Sequence, residues 1–283
     1  MIVLLDVDGT LVDYSGRLPA SAATAVRAAG ENGHLVYLCT GRARSEIHPW
    51  LWELGVNGLI GGNGSYVESA GEVLRHQVLK PEVVDRAVSI LLELGIDFFL
   101  ECNHALYGTH GLPAAIAALR PGGATPDNVA WARNGFGDMV FGRIQGAGLN
   151  AAWRTDCNKI SFLLSPAAPL DALAVEFAGE ASVDTWSLTG ARPEFGEIGQ
   201  IGVNKGRAVE LLAARLGADK TDLIGFGDAR SDIELLRACG IGVAMGQAPD
   251  ELKAVATLVT DHVDADGLAR AFERLGLLLS PRA

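Results

Sequence analysis

The chain has 283 residues, 49% of them hydrophobic and 20% charged, and carries a formal net charge of −11 at pH 7. That length suits one large or two modest domains with well-buried cores. The acidic balance excludes nucleic acid and anionic membrane as expected partners, since both attract basic surfaces.

The first predicted strand, over residues 2–6, is an apolar run, Ile2-Val3-Leu4-Leu5, that delivers Asp6 and, two positions on, Asp8, followed by Gly9 and Thr10. Two carboxylates at the end of a buried strand are costly to hold ionised. A partner cation is therefore expected, and a hard, oxygen-seeking ion such as Mg²⁺ fits best. Taken alone, the same residues also describe a strand end with a solvated Asp-Gly turn. A helix over 20–32 leads to a strand over 34–39 ending in Thr40-Gly41-Arg42. A helix over 43–54 then leads to a strand at 59–60 and the loop Gly61-Gly62-Asn63-Gly64-Ser65. This repeated β-α-β alternation predicts the α/β class, a Rossmann-like doubly wound parallel sheet whose ligands bind beyond the carboxyl ends of its strands. Asp6, Asp8, Thr40 and Asn63 fall at such ends.

From about residue 81 the pattern changes. A helix over 81–94 is followed by short strands at 97–101 and 158–164. The Gly-rich stretch 120–150 reads either as a weakly patterned pair of strands, the preferred reading, or as a loop over a site. An extended segment, 194–201, then precedes a helix over 205–216, a strand over 222–226 running into Gly227-Asp228, and a helix over 231–238. A strand over 241–244 and helices over 249–256 and 265–276 complete the alternation. The expected organisation is a discontinuous α/β core, 1–80 and 188–283, with an inserted α+β domain over 81–187.

The four cysteines, Cys39, Cys102, Cys157 and Cys239, have no Cys-x-x-Cys or metal-ligand spacing, which predicts free buried thiols. No basic segment leading into an apolar stretch opens the chain, and no segment approaches the roughly 18 apolar residues of a membrane span. A soluble, cytoplasmic protein, monomer or homodimer, is expected.

Four separated segments supply the parts of one reaction. Asp6 is a candidate carboxylate nucleophile toward phosphorus, and Asp8 a general acid and then a general base. Thr40 offers a hydroxyl, and Gly41 a backbone N–H, to phosphoryl oxygens. Lys205, in Asn204-Lys205-Gly206, brings a compact positive charge, and Asp228 a further metal carboxylate. Asp232, four residues on, is spaced to support the metal site from behind.

The motifs Asp6-Val7-Asp8-Gly9-Thr10, Thr40-Gly41-Arg42, Lys205-Gly206 and Gly227-Asp228-Ala229-Arg230-Ser231-Asp232 resemble, in order, those of the haloacid dehalogenase (HAD) superfamily phosphatases, Cof-like subfamily (type IIB, with a C2 cap). The run from Gly242 to Pro249 and Val259-Thr260-Asp261 are similar to that subfamily too. The resemblance implies a catalytic core and a substrate-selecting cap. It implies Asp6 as nucleophile, Asp8 as acid/base, and Mg²⁺ held by Asp6, the backbone carbonyl of Asp8, and Asp228. Ser231 stands where the family often has Asn, with a shorter side chain and fewer hydrogen bonds to give to the phosphate or metal surroundings. Asn63 resembles the family's Asn-Gly loop, which either touches substrate phosphate or holds the hinge; a simple turn asparagine is the alternative.

The implied activity is hydrolysis of a small phosphorylated metabolite, a sugar or polyol phosphate, through an aspartyl-phosphate. The alternatives are a phosphatase of a phosphorylated cofactor (pyridoxal phosphate or FMN), a phosphomutase, and a non-catalytic phosphate-binding sensor. Arg133, Arg143, Arg154 and Lys159 of the inserted domain are candidates for a second anionic group on the substrate, and solvated side chains otherwise. Trp50 and Trp52 are expected to pack, and His48 and Arg42 to lie at the surface.

Overall fold

A computed structural model describes residues 1–135, 140–141, 151–164, 170–187 and 194–278. In chain order its strands are β1 (Ile2–Leu5), β2 (Leu35–Cys39), β3 (Gly58–Gly61), β4 (Tyr66–Ser69), β5 (Glu72–His76), β6 (Phe98–Cys102), β7 (Leu106–Gly108), β8 (Val140–Phe141), β9 (Cys157–Leu163), β10 (Ser182–Trp186), β11 (Phe195–Gly199), β12 (Leu223–Gly227), β13 (Ile241–Ala244) and β14 (Leu258–Val259).

The chain divides into two compact units. The first contains Met1–Gly41, Pro49–His76 and Val203–Ala283. Its eight-stranded sheet runs β14-β13-β12-β1-β2-β3-β4-β5, parallel from β14 to β3 and antiparallel over β4 and β5. β1 and β12 are buried along their whole length, the burial that helices on both faces of a parallel sheet impose and that a continuous apolar run anticipates. Register aligns Leu5 with both Leu38 and Phe226, so Asp6 leaves the sheet beside the ends of β2 and β12.

The helix Lys205–Leu216 starts where the Asn204 side chain accepts from the Arg207 N–H at 2.9 Å, and ends at left-handed Gly217, both standard helix punctuation. The expected helix over 43–54 is instead a 3₁₀ turn, Arg44–Glu46, and a separate short helix, Pro49–Trp52. Proline excludes helical backbone at the residue before it, and Ile47 is already extended. The hairpin β4–β5 has no counterpart among the predicted elements. Ala70 and Gly71 turn it, both with positive φ.

The second unit contains Arg42–His48 and Gln77–Gly202. Its sheet runs β10-β11-β9-β6-β7-β8. The helix Pro81–Glu93 packs Val83, Val84, Ala87, Val88 and Leu91 against Phe98, Leu100, Ile160 and Phe162. β11 pairs antiparallel with both β9 and β10, so Phe195–Gly199, expected in the core, is a strand of this sheet. Within 120–150, Pro126–Gly135 is a helix rather than a strand; Asp127 at its N-terminus and Arg133 in its last turn suit the helix dipole. Residues 136–139 and 142–150, Arg143 among them, lie outside the described residues, as does the expected boundary near 188.

All four cysteines are free and buried. No described helix is long and apolar enough to cross a membrane.

Candidate active site

The carboxyl ends of β1 and β12 and the start of the helix Lys205–Leu216 converge in the first unit. Lys205 is 1% exposed and its Nζ donates to Asp6 Oδ1 at 2.7 Å and to Asp232 Oδ1 at 2.5 Å. The second oxygen of Asp232 accepts the backbone N–H groups of Asp228 and Ala229, each at 3.0 Å. Asp232 thus fixes the turn that aims Asp228 and holds the lysine from the far side.

Asp6, Asp228 and Asp232 are all buried, and one carboxylate oxygen from each lies within 4.8 Å of the others. Burial pushes the Asp6 carboxyl well above its ordinary range; Lys205 opposes that shift, while Asp232 and Asp228 add to it. Burial, with Asp232 next, pushes Asp228 up to about 6. Burial alone would lower the Lys205 ammonium, but Asp232 and Asp6 outweigh it and its pKa rises. One lysine thus faces three buried carboxylates. The uncompensated charge and all-oxygen donor set fit a hard divalent cation.

Asp228 is held further by Thr10, whose hydroxyl donates to Oδ1 at 3.3 Å, and by Tyr14, whose phenol donates to Oδ2. Gly9 makes this approach possible. Its φ is +81°, and a Cβ there would lie 2.2 Å from Asp228 Oδ2, closer than any side chain tolerates. Asp8 is exposed in the same turn, where it bridges to Val12.

At the end of β2, Thr40 is buried, and its backbone N–H donates to the Ile60 carbonyl at 2.8 Å. Its carbonyl accepts the Asn63 N–H at 3.1 Å. Asn63 is left-handed, φ 55° and ψ 22°. Its Oδ1 is buried, has no hydrogen-bond partner among the described residues, and lies 3.3 Å from where a Cβ on Gly41 would be. Asn63 therefore lies against Gly41, a direct neighbour in space. Ser231 is exposed on the turn before Asp232.

The basic residues of the second unit are placed differently. Arg154 pairs with Asp85 through both nitrogens of its fork. Lys159 is buried between Glu197 at 2.6 Å and Glu101 at 3.3 Å, so its charge is already matched. Arg133 is exposed. Arg42 is half-buried and donates to the Glu46 carbonyl at 3.2 Å; His48, Trp50 and Trp52 are half-buried as well.

Sequence reasoning missed Tyr14 and Gln247. Gln247 Nε2 donates to the Gly9 carbonyl at 2.5 Å and its Oε1 accepts the Val263 N–H at 3.1 Å. The Gly246-Gln247 run was visible as a motif, but its contact with Gly9 spans 238 residues and no local periodicity reveals it.

A family model described as haloacid dehalogenase-like hydrolase matches residues 3–272. The chain is 28% identical over 287 residues to the putative phosphatase YkrA of Bacillus subtilis (strain 168), with 98% of each chain covered. It is 27% identical to the 5-amino-6-(5-phospho-D-ribitylamino)uracil phosphatase YwtE of the same organism, covering 96% of this chain and 97% of that one. A crystal structure of a haloacid dehalogenase-like hydrolase from Bacteroides thetaiotaomicron superposes with a TM-score of 0.79 at 20% identity, over 97% of this chain and 98% of that chain, a likeness of fold.

Proposed function

The chain belongs to the haloacid dehalogenase-like hydrolase family, and from that premise we propose that it is a Mg²⁺-dependent phosphatase of a small sugar or polyol phosphate, working through an aspartyl-phosphate. One observation carries the reading: Asp6, at the end of a central strand, is held at Oδ1 by a buried lysine and faces two further buried carboxylates.

The Asp6 carboxylate attacks phosphorus, and the bond from phosphorus to the ester oxygen breaks as Asp8 gives that oxygen its proton. Asp8 then takes a proton from water, which attacks the aspartyl-phosphate and releases phosphate. Exposure of Asp8 suits a group that must exchange protons with solvent. Lys205 keeps one Asp6 oxygen fixed, leaving the other to react. The Thr40 hydroxyl and Gly41 N–H hold the phosphoryl oxygens, and Asn63 braces Gly41. Mg²⁺, held by Asp6, Asp228 and the backbone carbonyl of Asp8, would neutralise charge on the transferring phosphoryl group.

The second unit serves in this reading as the cap that selects the leaving group. Its sheet carries Glu101, Lys159, Ser161 and Glu197 joined in one polar network, with the Ser161 hydroxyl donating to Glu101 at 2.6 Å and the Trp186 indole N–H donating to Ser161 at 3.0 Å. Trp186 is stacked on Phe195, centroids 4.3 Å apart. The ribityl phosphate in the name of one full-length relative supports a polyol phosphate as the substrate class.

Phosphate release from sugar, polyol, nucleotide, pyridoxal and flavin phosphates, with Mg²⁺ and with chelator and with Asp6→Asn as control, tests this reading. Chelator-sensitive preference for a polyol phosphate is expected. Preference for pyridoxal phosphate or FMN would replace the substrate class; stimulation by a bisphosphate would mean a phosphomutase. Phosphate binding without any release would mean a sensor.

A further inference from the structure

We infer that Tyr14 is a positioning residue for the metal carboxylate Asp228, to which its hydroxyl donates. The inference rests on the reading of Asp228 as a metal ligand.

The geometry has three parts. First, both oxygens of Asp228 are engaged from the segment that follows Asp6: Oδ1 by Thr10 and Oδ2 by Tyr14. A carboxylate oxygen has two lone pairs, so each retains one for a cation while the hydrogen bonds stop the group from rotating. Second, the turn that carries the contact is tied down from elsewhere: the Gln247 amide donates to the Gly9 carbonyl and accepts the Val263 N–H. A carboxylate can only accept, so the phenol's one proton lies toward Asp228. Third, the ring is close-packed on the turn: a Cβ at Gly9 would sit 2.9 Å from Tyr14 Cε1 as well as 2.2 Å from Asp228 Oδ2.

Tyr14 is also 44% exposed. Its ring rests on the turn rather than in the core, and Tyr14→Phe keeps that ring while removing the one hydrogen bond. Partners behind a metal ligand typically change metal affinity by about 10–100-fold when removed.

The test is calorimetric titration of the full-length chain with Mg²⁺ for the wild type, Tyr14→Phe, Gln247→Met, the double variant and Asp228→Asn, with melting temperatures taken in chelator. Tyr14→Phe is expected to weaken Mg²⁺ binding about tenfold with the metal-free melting temperature unchanged. Gln247→Met, which releases the Gly9 carbonyl of the turn packed on Asp228, should weaken it in the same direction, and the double variant should lose at least as much as Tyr14→Phe alone. In turnover assays the Mg²⁺ concentration for half-maximal rate should rise more than kcat falls. Binding by Tyr14→Phe equal to or tighter than wild type overturns the inference while leaving Asp228 as a ligand, provided Asp228→Asn binds poorly. Equal binding by wild type and Asp228→Asn, or no binding by wild type, overturns the metal reading and the inference with it.

Discussion

Lys205 Nζ lies 2.7 Å from Asp6 Oδ1 across 199 residues of chain, and both groups are buried. Removing the lysine would leave Asp6 and Asp232 facing each other without a cation. Breaking a buried pair at one partner costs about 3–5 kcal/mol. Lys205→Met is therefore expected to lose stability of that order in urea unfolding in chelator. An unchanged midpoint would mean that the carboxylates have taken up protons and the lysine is not holding them.

Asp6→Asn keeps the size of the side chain and an oxygen for Lys205 but removes the attacking charge. Turnover should fall by at least about a thousandfold, with far-ultraviolet circular dichroism unchanged. Substantial residual phosphate release from a folded variant would move the nucleophile elsewhere.

Asp232 has two oxygens doing separate tasks, one on Lys205 and the other on the Asp228 and Ala229 N–H groups. An amide has a single acceptor oxygen, so Asp232→Asn must give up one task and point an NH₂ at a donor. A loss of about 10–100-fold in kcat/KM is expected, in line with partners placed behind a metal ligand. Activity within twofold of wild type would mean that the turn holds Asp228 without it.

Asp13 offers a pH prediction away from the metal carboxylates. Burial raises its pKa, but hydrogen bonds from Ser15 and Arg17 overcome that and bring it down to about 2. A carboxyl depressed in the folded state stabilises the fold above its ordinary pKa, and loses that contribution as pH falls through the folded value. Asp13→Asn should lower the melting temperature at neutral pH, and the gap should close between about pH 4 and pH 2. A gap that persists at the acid end would make the effect steric.

The parallel core was legible where local physics determines it. The helix Lys205–Leu216 is bracketed by Asn204 and Gly217, and β1 and β12 are short apolar runs ending in aspartate. The helix over 43–54 was misread because Pro49 acts on its predecessor more strongly than the surrounding apolar pattern suggests. Val140–Phe141 and β5 are poorly patterned, and the exposed β5, Glu72–His76, has no buried face to mark it. In the site, Asp6, Lys205, Asp228 and Asp232 stand in recognisable motifs and meet in space. The neutralisation of Lys159 by Glu101 and Glu197, and the hold of Tyr14 on Asp228, depend on strand register and chain return, which no local window contains.

The position of β1 in its sheet has a consequence for synthesis. One neighbour, β2, follows within forty residues, but the other, β12, begins at Leu223. At about 5–20 residues per second, a bare apolar strand edge ending in Asp6 waits roughly ten seconds or more on the ribosome for its partner. The intervening unit, Gln77–Gly202, is complete in sequence before then. A nascent chain released early thus exposes an open edge suited to aggregation or chaperone capture, and the charge cluster assembles only once Asp232 has emerged.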